Sequence, residues 1–231
     1  MAVIEHQHAD AATSALALAD TVARQLRAAI GARGSASLVV SGGRSPVPLF
    51  AALRVMPLDW AQVWITLADE RWVEPDSPDS NERLLREHLL QDAAAAARFV
   101  ALKSPFATVE QGLAASSASL AAIPRPYDVV VLGMGEDGHT ASLFPGTTGL
   151  AAAMALDDPA LLAAITPPSA PHRRITMRLP TLLAARVLHL PLAGAAKLAV
   201  YRQALQTGDA SRWPIAAVLG QTRVPLSVWL A

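Results

Sequence analysis

The chain has 231 residues, of which 52% are apolar and 16% are charged, so it is long enough to bury a sizeable core and too apolar to be disordered. Nineteen basic residues balance nineteen acidic ones, which gives no support for a nucleic-acid partner but allows a local cluster of cations for a small anion. The absence of cysteine excludes disulfides, thiolate catalysis and zinc–thiolate sites.

The first residues have no basic leader and include Glu5 and Asp10, which is unlike a signal peptide. The apolar runs are interrupted well before the ~20 residues that a membrane helix needs. We therefore expect a soluble cytoplasmic protein with no membrane partner.

The first predicted helix covers residues 10–33 and ends at Gly34, because four apolar side chains recur at four-residue spacing: Leu18, Val22, Leu26 and Ile30. A strand at 37–40 follows and ends in the turn SGGRSP. Pro46 suits the first turn of the next helix, which runs to about Arg54.

The rest of the chain continues the alternation. Strands are predicted at 63–67, 99–102, 127–132, 175–178, 187–190 and 226–230, and helices at 81–91, 109–123, from 180 onward, and 195–206. Continuous apolar strands between amphipathic helices indicate an α/β fold with a mostly parallel sheet covered on both faces. Ligands of such sheets collect at the carboxyl ends of the strands, so the loops 41–46, 69–73 and 133–142 are expected to meet in one crevice.

The loop GMGEDG at 133–138 satisfies the dinucleotide fingerprint G-x-G-x-x-G and follows a strand. Two carboxylates, Glu136 and Asp137, would face the pyrophosphate, and the helix that should follow is interrupted by Pro145-Gly146. No strand ending in a carboxylate lies about 20 residues further on, as the motif requires. The dinucleotide interpretation is therefore disfavoured.

The same loop contains Asp137-Gly-His139, a carboxylate two residues from an imidazole on a tight turn. Histidine has an ordinary pKa of ~6.5, which suits a general base near neutrality, and the carboxylate could orient its ring. The alternative is that Asp137 and His139 only form hydrogen bonds within the turn.

The turn at 41–46 can bind an anion through its backbone N–H groups, with Arg44 adding a charge and Ser45 a hydroxyl, or it can be a plain tight turn. Lys197 lies in the first turn of a predicted helix, where a cation opposes the helix dipole. A bound anion would remove that conflict; the alternative is an exposed lysine.

Asp69-Glu-Arg71 follows a buried strand directly, which favours a site, although a surface ion pair is the alternative. His6, His8 and His88 are predicted to lie in a tail or on a solvent face, and His189 in the sheet. No pair of histidines has the spacing of metal ligands. No G-x-S-x-G elbow is present, so hydrolysis would require direct attack by an activated water.

Five stretches in this order, SGGRSP, DERWVEPDSPDSN, GMGEDGHTASLFPG, RITMRLPTLLAAR and GAAK, closely resemble the 6-phosphogluconolactonases. The resemblance implies one domain over residues 1–231 with a three-layer α/β/α, doubly wound fold that is shared with amino-sugar-phosphate deaminases. It also implies hydrolysis of 6-phospho-D-glucono-1,5-lactone in the oxidative pentose phosphate pathway, without metal or coenzyme. We expect a monomer or a weak homodimer.

The resemblance also implies roles for single residues. His139 is the general base, Asp137 orients it, and Asp69 falls at the D-E-R site of the family. The substrate phosphate is held by a further set: Gly42, Gly43, Arg44, Ser45, Arg71 and Lys197. Many members of the family have Ser-Thr where this chain has Arg44-Ser45, which adds a cation.

Two other functions are less compatible with the sequence. An amino-sugar-phosphate deaminase typically continues after D-G-H into A-F-N-E, with a further carboxylate, whereas residues 140–145 here contain no acid. A sugar-phosphate-binding regulator could keep the turn at 41–46 but would not need the base, so the presence of both Asp137 and His139 argues against it.

Overall fold

Strands and helices alternate along the part of the chain that the computed structural model describes, residues 3–168 and 170–231. The strands in this part are β1 Ile4–Gln7, β2 Ala36–Val40, β3 Val63–Leu67, β4 Asp69–Arg71, β5 Arg98–Val100, β6 Val129–Val131, β7 Leu162–Ile165, β8 Arg174–Met177, β9 Leu188–Leu192 and β10 Leu226–Leu230. The helices are α1 Ala11–Arg33, α2 Val47–Leu53, α3 Asn81–His88, α4 Val109–Ala121, α5 Leu150–Met154, α6 Leu179–Leu182, α7 Ala195–Thr207 and α8 Ile215–Leu219.

The main sheet is parallel throughout, in the order β1-β10-β9-β6-β2-β3-β5. The predicted α/β fold with a doubly wound sheet is therefore confirmed. The connections reverse direction between β2 and β6, which makes this pair the switch point where such sheets bind ligands. Val40 pairs with both Leu67 and Val131, so the loops after β2, β3 and β6 leave the sheet at the same level.

The local signals at the first helix correspond to real caps. The Asp10 carboxylate accepts a hydrogen bond from the Thr13 N–H at 2.7 Å, and Gly34 ends the helix with φ +76°. Leu18 and Leu26 on the predicted apolar face are fully buried. The helix therefore packs one face on the core, as its periodicity predicts.

A second, antiparallel sheet, β4-β8-β7, was not predicted. Asp69–Arg71, predicted as loop, forms β4 and pairs with the first residues of β8; the strand predicted at 175–178 is real but belongs to this small sheet. Three residues carry no periodicity, and the partner strand lies about a hundred positions away. Local sequence therefore could not reveal the pairing.

The predicted location of His6 and His8 was wrong. His6 lies in the edge strand β1, and its ring stacks on Trp229 of β10 with centroids 4.3 Å apart. The ring of His8 also stacks on Trp229, with centroids 5.6 Å apart. Within the described residues, no helix has the length and apolar character needed to cross a membrane.

Candidate active site

A pocket of about 200 Å³ opens at the carboxyl edge of the main sheet. It brings together the loops after β2 and β6, strand β4 directly after β3, and the first turn of α7. Its lining residues are Ser41, Gly42, Gly43, Arg44, Ser45, Asp69, Arg71, Asn81, Gly133, Met134, Gly135, His139, Ala141, Arg174 and Lys197. Every site residue singled out from the sequence lines this pocket except Asp137, which contacts the Nδ1 edge of the His139 ring.

The glycine turn after β2 is tied to its neighbours on two sides. The Gly133 N–H donates to Ser41 Oγ at 3.0 Å, which joins the turn to the loop after β6. Gly42 packs directly on Asn81, since a Cβ at Gly42 would lie 2.1 Å from Asn81 Oδ1. Gly43 has φ +85°, which a residue with a side chain rarely adopts. The turn therefore needs glycine at both positions.

Two cationic side chains, Lys197 and Arg44, lie beside this turn. Lys197 Nζ donates to Ser45 Oγ at 2.8 Å, which brings the start of α7 against the turn. Burial lowers the pKa of Lys197, and the charge of Glu136 partly offsets this. Arg44 is exposed at the rim. A half-buried ammonium whose charged form is disfavoured would gain from a bound anion.

The side chain of Asp69 is buried, so the alternative of a surface ion pair at residues 69–71 is wrong for this residue. Its Oδ2 accepts a hydrogen bond from Ser142 Oγ at 2.5 Å and lies 3.8 Å from Arg174 Nη1. Arg71 Nη1 donates to the Asp79 carbonyl at 2.6 Å. The pocket thus contains a buried carboxylate close to the Arg174 guanidinium, and a second guanidinium, that of Arg71, which is held by a backbone carbonyl.

Glu70, between these residues, has a structural role. Its carboxylate accepts hydrogen bonds from the backbone N–H groups of Arg71, Asn81 and Glu82 and from the Ser80 hydroxyl, at 2.7 to 3.1 Å. Burial raises the pKa of Glu70, and these donors counteract it. Glu70 therefore fixes the start of α3 against β4, and with it Asn81.

His139 and Asp137 form a close pair. His139 Nδ1 lies 2.5 Å from Asp137 Oδ1, which also accepts the His139 backbone N–H at 3.1 Å. Burial by itself raises the pKa of Asp137, but the hydrogen bonds and charge of His139 outweigh it and lower that pKa. An ionised Asp137 can only accept a hydrogen bond, so in the neutral imidazole the proton is on Nδ1 and Nε2 has the free lone pair.

The imidazole is held between two surfaces. One face stacks on Phe144 with centroids 4.1 Å apart, and the ring remains 30% exposed. Gly135 lies against the Nδ1 edge of the ring, where a Cβ would come within 2.2 Å of His139 Nδ1 and 2.5 Å of Asp137 Oδ1. Gly135 is therefore needed to accommodate the histidine, and the Asp137 and His139 side chains lie directly against the backbone of this glycine turn. The geometry agrees with the sequence in disfavouring a dinucleotide turn.

Two buried residues of the pocket were missed by the sequence reasoning. Asn81 donates through Nδ2 to the Asp69 carbonyl at 3.0 Å, and Arg174 lies over the Phe144 ring at 5.1 Å. Burial lowers the pKa of Arg174, and the charge of Asp69 opposes this. The available signals were weak: Asn81 follows a helix-capping serine, and Arg174 is a charge at the start of an apolar strand.

The described residues contain no cluster of three or more histidine, aspartate or glutamate side chains that could hold a metal ion. A doubly wound sheet with a histidine–carboxylate pair and clustered cations at its switch point is the arrangement of an α/β protein whose pocket would suit a small anionic ligand.

Comparison with known proteins agrees with this class. A sequence model of the family described as glucosamine-6-phosphate isomerases/6-phosphogluconolactonase matches residues 9–227. The chain belongs to this family. A 6-phosphogluconolactonase of Pseudomonas aeruginosa is 46% identical over 218 residues, covering 94% of this chain and 90% of that protein.

Solved structures give the same result. The crystal structure of a 6-phosphogluconolactonase from Shewanella baltica matches with a TM-score of 0.96 and 48% identity, covering 99% of this chain and 98% of that chain. A monomeric glucosamine-6-phosphate deaminase matches with a TM-score of 0.78 at 18% identity, covering 99% and 97% of the two chains. The fold expected to be shared by lactonases and deaminases is thus confirmed.

Proposed function

We propose that the protein hydrolyses 6-phospho-D-glucono-1,5-lactone to 6-phosphogluconate, the lactone-opening step of the oxidative pentose phosphate pathway, with His139 as general base. The names of its relatives at more than 40% identity support the reaction. The observation that carries the mechanism is the pairing of His139 with Asp137 in the same pocket as the Lys197–Ser45 contact.

The phosphate is bound at the glycine turn. Lys197 and Arg44 supply positive charge there, Ser45 a hydroxyl, and the Gly42–Gly43 backbone can approach closely because it has no side chains. Arg71 adds a guanidinium across the pocket. Holding the phosphate fixes the distant lactone carbonyl relative to His139, so that binding energy is used for orientation.

Water then attacks the lactone carbonyl carbon. His139 Nε2 takes a proton from the water as the new C–O bond forms, and Asp137 stabilises the resulting imidazolium. The tetrahedral intermediate collapses with cleavage of the bond to the ring oxygen, which receives the proton from His139. No covalent enzyme intermediate is needed, because a lactone is an activated ester.

Arg174, paired with Asp69, is the remaining cation of the pocket and is the group that we assign to the lactone carbonyl. Negative charge develops on the carbonyl oxygen during attack, and a buried guanidinium such as that of Arg174 stabilises this charge more strongly than it would in water. Asp69 holds Arg174 in place and, with Ser142, limits its movement.

The test is direct measurement of lactone hydrolysis. The lactone is generated in the assay by glucose-6-phosphate dehydrogenase near neutral pH, and the spontaneous rate is subtracted. We expect acceleration that persists in the presence of a chelator. His139→Ala should lower kcat by roughly 10²–10⁴-fold. His88→Ala, which removes a histidine of α3 outside the pocket, is the matched control and should retain the rate.

A second variant separates binding from chemistry. Lys197→Ala should raise KM with little change in kcat, because the phosphate contact is present in both ground and transition states. If the wild type hydrolyses the lactone and His139→Ala does so at the same rate, the assignment of His139 as the base is refuted. Turnover of glucosamine 6-phosphate in place of the lactone would refute the proposed reaction.

A further inference from the structure

Trp213 lies outside the pocket, yet it contacts the turn that holds His139. It sits between α7 and α8, and its ring packs on Gly138, the residue between Asp137 and His139. A Cβ at Gly138 would lie 2.7 Å from Trp213 Cε3, 3.1 Å from its Cα and 3.2 Å from its Cβ. The turn and the tryptophan are therefore in contact with no space for a side chain between them.

A backbone hydrogen bond reinforces this contact. The Ile215 N–H donates to the Gly138 carbonyl at 2.9 Å, so the peptide group that leads into His139 is held from the same side. On the inner side, the Gly135 N–H donates to the His139 carbonyl at 2.9 Å and the Gly138 N–H to the Gly135 carbonyl at 3.0 Å. Outward movement of the turn is opposed by Trp213 and Ile215.

The segment that carries Trp213 is itself well anchored. The Trp213 N–H donates to the Asp209 carbonyl at 2.8 Å, and the Asp209 carboxylate accepts the backbone N–H groups of Ser211 and Arg212. Ile215, which begins α8, is fully buried. The backbone that carries Trp213 is thus held by hydrogen bonds on one side and joined to the core through Ile215 on the other.

We propose that Trp213 is a positioning residue for the reaction: its ring clamps the Gly138 turn and thereby holds the His139–Asp137 pair in its productive geometry. This inference rests on the proposed function. A catalytic group displaced by about 1 Å can lose 10²-fold in rate, so a contact that never touches substrate can still control kcat. Binding of phosphate at the glycine turn should not depend on it.

The test compares Trp213→Leu with Trp213→Phe and Trp64→Leu. Trp64 is a matched control, because it is also half-buried and also has a guanidinium over its ring. Arg98 lies 5.3 Å from the Trp64 ring, and Arg212 lies 5.1 Å from the Trp213 ring. Unlike Trp213, Trp64 lies on β3 and does not contact the turn that holds His139. We expect Trp213→Leu to lower kcat about 10–100-fold with KM changed less than about threefold. Trp213→Phe should recover most of the rate, and Trp64→Leu should retain it.

A second readout does not depend on turnover. The ¹⁵N shifts of the His139 ring report which nitrogen carries the proton, and the signals are assigned by their loss in His139→Gln. We expect the Nδ1–H form in the wild type and a mixture of tautomers in Trp213→Leu. If Trp213→Leu failed to fold, the test would use Trp213→Phe instead. We would then expect a small loss of kcat together with a partial change of tautomer in that variant.

Several results would overturn the inference. The first is a kcat for folded Trp213→Leu within about twofold of that of the wild type. The second is a KM for Trp213→Leu that rises as much as its kcat falls. The third is an equal loss of kcat in Trp64→Leu. An unchanged His139 tautomer in a folded Trp213→Leu would do the same. A wild type without lactonase activity would instead refute the proposed function, and the tautomer measurement would then decide the positioning role alone.

Discussion

Acid should destabilise this protein through His189, a buried residue of β9 that takes no part in the proposed reaction. Its Nε2 lies 2.9 Å from Gln25 Oε1, and its Nδ1 accepts a hydrogen bond from Trp229 Nε1 at 3.1 Å. A second proton would have to sit on Nδ1, facing an indole N–H. Burial, with a smaller contribution from His6, lowers the pKa of His189 from its ordinary 6.5 to about 4.

The sign and size of the effect follow from linkage. Above the unfolded pKa the residue is neutral in both states, so the folded state has its full stability there. As the pH falls from about 6.5 to about 4, the unfolded chain binds a proton that the folded chain does not, and stability is lost at about 1.4 kcal/mol per pH unit. At about pH 4.5 the loss from this residue alone should reach roughly 2–3 kcal/mol.

The measurement is the free energy of unfolding from urea titrations at about pH 7.5 and about pH 4.5. His189→Gln keeps an N–H near Gln25 Oε1 and removes the titration, so its stability should fall less between the two pH values, by roughly 2–3 kcal/mol. His88→Gln, at a half-buried site on α3, is the control for replacing a histidine by glutamine outside β9. Equal pH dependence in the wild type and His189→Gln would refute the reasoning.

Two further substitutions test the framework of the pocket. Gly42→Ala would place a methyl group within 2.1 Å of the buried Asn81 amide. We therefore expect a higher KM and a loss of about 1–3 kcal/mol in the free energy of unfolding. The control is Gly31→Ala in α1, which has open space around it and should be neutral or stabilising. Normal KM and stability in Gly42→Ala would contradict this contact. Glu70→Gln would turn an amide NH₂ toward hydrogen-bond donors and should cost about 1–3 kcal/mol or more in the free energy of unfolding, measured with urea. Glu87→Gln, on the exposed side of α3, should cost less than about 1 kcal/mol. Similar losses in the two glutamate variants would show that the Glu70 network contributes little.

The local parts of the fold could be predicted from the sequence because their causes are local. The four-residue spacing of apolar side chains in α1 and the glycine that ends it both act within one helix. The continuous apolar run of β2 indicates a strand covered on both faces, and all five of its residues are buried. The small sheet was missed because β4 has three residues and pairs with a strand far along the chain.

The same division applies to the site. Most residues named from the sequence lie close behind strands, and those at 42–45 and 137–139 stand on turns marked by glycines. Asp69 and Arg71 follow β3 without a glycine, and Lys197 lies in the first turn of α7. Asn81 and Arg174 were missed because an asparagine in a helix and an arginine in a strand look ordinary until burial is known. Trp213 was missed for the same reason, since its contact with Gly138 exists only in three dimensions.

The sequence by itself thus determined the α/β alternation, the turns at the strand ends and the chemical types of the side chains on those turns. Only the tertiary structure decided which of these side chains meet. Ser142 reaches Asp69 across 73 positions, and Lys197 reaches Ser45 across 152. Such contacts depend on how the strands are ordered and how far each loop is buried, and these are set by packing of the whole chain, because no local propensity acts over such separations.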